Sequence, residues 1–261
     1  MAAESIKPEI VLYDLACIKD VCFSPVVWRI RLLLNYKQIP YRTVFLEMPD
    51  IEPTLREFPT RVYGDAIDTK TYSGLPPHDP ATGNIRKYTV PAIHHVPTNK
   101  YIMDSLPIAQ FLEATYPDPP VPLTSELGDD IVLKSRSLVG PIIYKSLTPR
   151  EVNILSPRSG EYFRRTREDR FGRRLEDLLE NEEERWNGVD ADRRTIGDLI
   201  RTNSAEGPFI LGARPSYADF FIAGSLQSAR VIDEGVFQRS LTYPGYKEIY
   251  EACLPYMERK D

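Results

Sequence analysis

Three short stretches of this chain carry side chains that can do chemistry together. Ser24-Pro25 heads the run Phe23-Ser24-Pro25-Val26-Val27-Trp28-Arg29-Ile30-Arg31, and Thr89-Val90-Pro91-Ala92-Ile93 and Met103-Asp104-Ser105 follow further on. Proline suits the first position of a helix, where its missing N–H costs nothing, so Ser24 stands at a helix start. Such a start presents free N–H groups and about half a positive charge, which favours an anion there. A thiol brought to that point ionises more easily. The pKa of a free cysteine is near 8.5, and a helix start with donors lowers it by about one unit or more, each unit being about 1.4 kcal/mol. The Ser24 hydroxyl would then donate to a thiolate without itself becoming a nucleophile. Taken singly, each stretch has a plainer reading. Ser-Pro is an ordinary N-cap, Val-Pro an ordinary turn, and Asp104-Ser105 another cap.

The elements that must position these residues can be read from hydrophobic periodicity. Glu9 to Leu15 is a short apolar run, predicted as a buried strand. Val26, Val27, Ile30, Leu33 and Leu34 recur at helical spacing behind Pro25 and predict a one-sided stripe ended by Gln38-Ile39-Pro40. Tyr41 to Met48 is a second strand, which makes a β-α-β unit. Residues 49 to 60 read as helical and 63 to 87 as a long loop, given Gly64, Gly74, Pro76, Pro77, Pro80 and Gly83. Ala92 to Val96 and Tyr101 to Met103 predict a hairpin about Pro97-Thr98-Asn99. A helix follows from Ser105 to Tyr116. The order β-α-β-α-β-β-α is that of a thioredoxin-like domain. Pro117 to Pro122 reads as a linker, and everything beyond is helical in character. The expected fold is therefore α/β plus all-α, with domains at 1–116 and 123–261 joined by 117–122.

Within the second domain, Glu161 to Trp186 reads as one helix, with Phe171, Leu175, Leu178, Leu179 and Trp186 on one face. Its arginines and glutamates would form a solvated, ion-paired face. Ser216-Tyr217-Ala218-Asp219 carries a capping box in which Asp219 reaches back to the Ser216 N–H, a folding feature without chemistry.

Bulk properties set the frame. The chain has 261 residues, 42% of them hydrophobic and 27% charged, which suits two folded domains. A net charge of −5 without basic blocks argues against a nucleic-acid partner. No apolar run reaches the roughly 18 residues of a membrane span, and the start of the chain lacks a signal peptide. Three cysteines form no disulfide framework. The cytoplasm is the default compartment. His94 and His95 alternate across a strand with no ligand spacing around them, so no metal site is expected.

In the order and spacing of these motifs the chain resembles the glutathione transferases over nearly its whole length. The Ser24, Trp28, Arg29 and Arg31 pattern is similar to the serine-type members. Pro49-Asp50-Ile51-Glu52-Pro53 and Lys87-Tyr88-Thr89-Val90-Pro91-Ala92-Ile93 resemble the fungal etherase-like group, the fungal-specific A class. The resemblance implies glutathione as co-substrate, held with Ser24 at its thiolate. It implies Val90 pairing its backbone with the cysteinyl unit, a cis Pro91, and Asp104 with Ser105 at the γ-glutamyl end. Lys87 and Arg86 are candidates for the glycine carboxylate. The electrophile site would lie between the domains, which nominates Phe23, Val26, Val139, Pro141, Ile142 and Tyr144, with Gly140-Pro141 kinking its helix. The resemblance also implies a hydrophobic small-molecule partner and a homodimer.

Transfer to an aromatic electrophile or aryl ether is the leading activity, in detoxification, lignin breakdown or fungal secondary metabolism. Three alternatives stand beside it: a glutathione-dependent isomerase, a thiol transferase or lyase built on Cys22, and a non-catalytic carrier of hydrophobic ligands. Tyr13, near the end of the first strand, is the rival hydroxyl, with core packing as its plainer reading.

Overall fold

The computed structural model describes residues 7–60, 72–73 and 87–258. Most of the expected 63–87 loop, and Arg86 with it, lies outside the described residues. β1 (Ile10–Leu15) is buried along most of its length, as its apolar run requires. It pairs in parallel with β2 (Tyr41–Leu46) on one side. On the other side it pairs antiparallel with β5 (Ala92–His95), which pairs antiparallel with β6 (Lys100–Met103). The sheet order is β2-β1-β5-β6. A two-residue ladder, β3 (Pro59–Thr60) with β4 (Tyr72–Ser73), stands apart from it.

This register decides where chemistry can gather. Tyr13 lies opposite Ala92, and Ala92 opposite Met103. The exit of β1, the entry of β5 and the exit of β6 therefore share one end of the sheet. Residues 16–24, Val90-Pro91 and Asp104-Ser105 all emerge there.

The helices of this half are α1 (Pro25–Tyr36), α2 (Ile51–Arg56) and α3 (Ser105–Thr115). The expected one-sided stripe on α1 proves too narrow, because every residue from Val27 to Leu34 is buried. The reason lies in the helical half, where α9 (Tyr217–Ile232) packs on the face of α1 turned from the sheet. Gly224 makes that approach possible. A Cβ there would meet Trp28 Cβ at 3.1 Å and the Pro25 carbonyl oxygen at 3.2 Å, tighter than ordinary packing.

The helical half comprises α4 (Glu126–Lys134), α5 (Gly140–Glu151), α6 (Pro157–Phe171), α7 (Glu182–Gly188), α8 (Asp190–Ile200), α9, α10 (Glu234–Leu241) and α11 (Tyr246–Cys253). The predicted helix from Glu161 to Trp186 is corrected into pieces. Gly172 ends α6 at φ +66°, a short 3₁₀ turn covers Glu176–Leu179, and Asn181 at φ +53° precedes α7. The left-handed positions break the backbone while Leu175, Leu178 and Trp186 still reach the core. The charged face is ion-paired as expected, through Arg164 with Glu168 and Glu176 and Arg173 with Glu180.

The interruption at Gly140-Pro141 takes the form of a π-helical stretch, Ser135–Val139, between α4 and α5. The Gly140 N–H donates to the Ser135 carbonyl across this wider turn. No described helix is long and apolar enough to cross a membrane.

Candidate functional site

Ser24 caps α1. Its Oγ accepts from the Val27 N–H at 3.4 Å, and its backbone φ of −76° and ψ of 121° are extended, as a cap requires. That bond uses the hydroxyl as an acceptor only. Among the described residues nothing accepts the Ser24 proton, so the O–H remains available to an anion at the helix start. The loop that carries it is tied down carbonyl by carbonyl. Trp28 Nε1 donates to the Cys22 oxygen at 2.9 Å, the Ser228 hydroxyl to the Phe23 oxygen at 2.6 Å, and the Trp28 N–H to the Ser24 oxygen at 2.9 Å. Ser228 lies on α9 and Trp28 on α1, so both halves of the molecule fix the position of one hydroxyl.

Beneath the loop Arg31 and Asp14 form an ion pair at 3.0 Å with both side chains wholly buried. Arg31 also donates to Thr43 Oγ1 at 2.9 Å, which joins α1 to β1 and β2. Cys22 lies against this pair and is fully buried. Burial raises its thiol pKa well above the usual value, and the nearby Asp14 carboxylate raises it further. Burial and a raised pKa make the Cys22 thiol a poor nucleophile, which weighs against the Cys22 alternative. Cys17 and Cys253 are buried too. The Tyr13 ring packs tilted against Phe58, 4.7 Å between centroids, and burial raises its pKa.

At the adjoining strand end the Val90–Pro91 peptide is cis. The Pro91 carbonyl accepts from the Asp104 N–H at 3.1 Å, and Thr89 Oγ1 lies 3.5 Å from Asp104 Oδ1. Asp104 precedes α3 with φ +77° and ψ 139°, a conformation costly for a residue with a side chain. Such strain amounts to about 1–3 kcal/mol and concentrates at functional positions. Nothing in the sequence signals it. Ser105 opens α3, and its carbonyl accepts from the Tyr217 hydroxyl of α9 at 3.0 Å. The structure thus brings Ser24, Val90, Pro91, Asp104 and Ser105 to one end of the sheet, at two helix starts.

Beside this end runs a cavity of about 370 Å³, lined from Pro25 and the π-helical stretch along α5 and α9. Of the six side chains nominated for the electrophile, Val139 and Tyr144 line it. Phe23 does not. It is 1% exposed and belongs to the core cluster of Met48, Phe163 and Leu178, while its carbonyl accepts from Ser228 of α9. Val26 is half-buried on α1 and Pro141 is exposed. Ile142 and Ile143 both pack half-buried against the core, and of the two only Ile143 lines the cavity. Phe221, Arg136 and Arg193 also line the cavity, and sequence reading missed them. Phe221 takes the Arg29 guanidinium at 4.8 Å and that of Arg136 at 5.4 Å, contacts worth about 0.5–2 kcal/mol each. A signal for Arg193 was present: with Ile196, Gly197 and Ile200 it shares the buried stripe of α8.

The glutathione S-transferase N-terminal domain model matches residues 23–115, and the C-terminal domain model matches 134–239. A glutathione S-transferase-like protein of Aspergillus flavus, ustS, is 32% identical over 253 residues, covering 90% of this chain and 85% of that one. This chain belongs to the glutathione S-transferase family. Among solved structures, the transferase GSTFuA2 of Phanerochaete chrysosporium superimposes with a TM-score of 0.78 at 29% identity, covering 98% of this chain and all of that one. A transferase of Ceriporiopsis subvermispora, solved in complex with glutathione, gives 0.68 at 29%, covering 94% of this chain and 97% of that one. The thioredoxin-like and helical halves are those of this family.

Proposed function

We propose that this protein is a serine-type glutathione transferase of the fungal etherase-like kind. Glutathione binds at the shared sheet end with its sulfur at the start of α1. Ser24 donates to the thiolate, and Val90 offers its backbone beside Pro91. Asp104 and Ser105 hold the γ-glutamyl end, and Lys87 is the described candidate for the glycine carboxylate. The observation that carries the reading is the Ser24 hydroxyl, which accepts from the Val27 N–H and keeps its proton free at a helix start. The neighbouring cavity, lined by Val139, Ile143, Leu147, Phe221 and Leu226, suits an apolar electrophile or aryl ether, and Pro25 in its lining joins it to Ser24. Catalysis then consists of lowering the thiol pKa and holding the two reactants together.

The same proposal takes 117–122 as the linker between domains and the protein as a cytoplasmic homodimer, which sedimentation of the purified chain checks. Its chemical test is turnover with aryl-ether and aryl-halide electrophiles in the wild type and Ser24→Ala. The proposal requires glutathione-dependent product in the wild type and a loss of at least about tenfold in the variant. Equal rates in both would reject the role of Ser24.

A further inference from the structure

The far end of the cavity contains an unusual group. Of its lining residues Pro25, Arg136 and Tyr144 are exposed whereas Arg193, Ser240 and Tyr246 are buried, so the cavity reaches from the surface beside α1 into the helical bundle. Arg193 is 2% exposed, and its Nε has no hydrogen-bond partner. Among the described residues no carboxylate pairs with it and nothing accepts from its guanidinium. Asp190, the acid that acts on it electrostatically, is engaged by Arg194 at 2.8 Å. The surroundings of Arg193 are instead aromatic: Tyr243 at 4.3 Å, Trp186 at 4.8 Å and Tyr246 at 5.2 Å from the guanidinium carbon. Three rings offset part of the cost of burying a cation, but they supply none of the oxygen acceptors that a planar five-donor fork is built to meet. An unpaired buried charge is otherwise rare because of that cost.

We propose that the inner end of the cavity is an oxyanion subsite, in which Arg193 receives the carboxylate of an acidic ligand whose aromatic or apolar body lies between α5 and α9. The walls fit that division. Val139, Ile143, Leu147, Phe221 and Leu226 supply apolar wall, Arg193 is the buried cation of the lining, and Glu151 is the carboxylate of the lining. A bidentate carboxylate would complete the guanidinium and fix which end of the ligand faces the domain junction. This deepens the transferase reading, since it makes the acceptor an amphipathic acid that presents its apolar end toward Ser24. It also stands apart from that reading, because binding at Arg193 needs no glutathione.

The test uses two fluorescent probes with the same ring body, 1-anilinonaphthalene-8-sulfonate and neutral N-phenyl-1-naphthylamine, titrated without glutathione. Arg193→Gln should weaken the sulfonate at least about tenfold and leave the neutral probe within about twofold, with an unchanged circular dichroism spectrum. Ser240→Glu, which places a carboxylate at the same end while keeping Arg193, should reject the sulfonate in the same selective way. Should Arg193→Gln fail to fold, Ser240→Glu decides alone. Sulfonate affinity unchanged in the folded variants, or both probes weakened alike, would overturn the subsite. Both titrations omit glutathione whereas turnover requires it, so a failure of the subsite and a failure of the transferase reading are told apart.

Discussion

Two serines begin two helices that pack against one another, and they differ in what becomes of the hydroxyl proton. Ser216, at the start of α9, donates to Asp219 Oδ2 at 2.6 Å, and its N–H reaches the same oxygen at 2.7 Å. The other oxygen of Asp219 accepts from the Ile210 N–H at 2.8 Å. That cap is closed, and its polar atoms are engaged in the core. Ser24, at the start of α1, accepts one bond and keeps its proton free. Both residues are N-caps by sequence pattern. Hydrogen-bonding capacity left unused at a helix start separates the one suited to chemistry from the one that serves folding.

The sharpest way to break this comparison is at the closed cap. Asp219→Ala removes the acceptor of three hydrogen bonds in a site with no exposure. Buried donors left unsatisfied cost about 1–3 kcal/mol each, so folded yield and melting temperature should fall steeply while the surviving folded protein keeps its turnover. Chemical denaturation beside active-site titration measures both, and a well-folded but inactive variant would contradict the assignment.

At the open cap the pattern should invert. Ser24→Ala should lower turnover by at least tenfold, about 1.4 kcal/mol, yet leave stability within about 1 kcal/mol, because the bond it loses is long. Smaller effects are expected at Asp104. Asp104→Ala should raise the KM for glutathione about fivefold with less change in kcat. Asp104→Gly, relieving the φ of +77°, should raise stability by about 1 kcal/mol while still weakening glutathione. Steady-state kinetics over a glutathione series separates these, and an unchanged KM in both variants would remove Asp104 from the site.

The smallest effect belongs to the opposite end of the sheet. His95 is buried, with Nδ1 beside Thr98 at 2.6 Å and Nε2 beside the Tyr116 hydroxyl at 2.9 Å. Burial lowers its pKa below the usual 6.5. The unfolded chain therefore binds a proton at a higher pH than the folded one. The stability His95 contributes is complete above pH 6.5 and is lost as pH falls through the lower folded value. Denaturation midpoints of the wild type should drop through that window, and His95→Gln should flatten the drop by less than about 1 kcal/mol. A drop of equal size in the variant would assign the pH dependence elsewhere.

Much of this arrangement could be read from the sequence because the signals were local. Ser24-Pro25, the hairpin about Pro97-Thr98-Asn99 and the Ser216–Asp219 box each specify a helix start or a turn within a few residues. The strand order then places Ser24, Val90 and Asp104 at one end. What escaped was set by contacts distant in sequence. The all-round burial of α1 depends on Gly224 admitting α9 closely. Phe23 is buried away from the cavity and Tyr144 lines it, in a region held by a carbonyl bond to Ser228 and a π turn, neither of which has a periodic signature. Gly172 and Asn181 divided a predicted long helix whose apolar spacing nonetheless marked core positions correctly.

The most direct test of the contrast between the two caps is an ultraviolet difference titration of the thiolate of glutathione bound to wild type, Ser24→Ala and Cys22→Ala. The account predicts a bound thiol pKa at least about one unit below that of free glutathione in the wild type and in Cys22→Ala, returning toward the free value in Ser24→Ala. A wild-type pKa equal to that of free glutathione, or a depression that survives in Ser24→Ala, would contradict it.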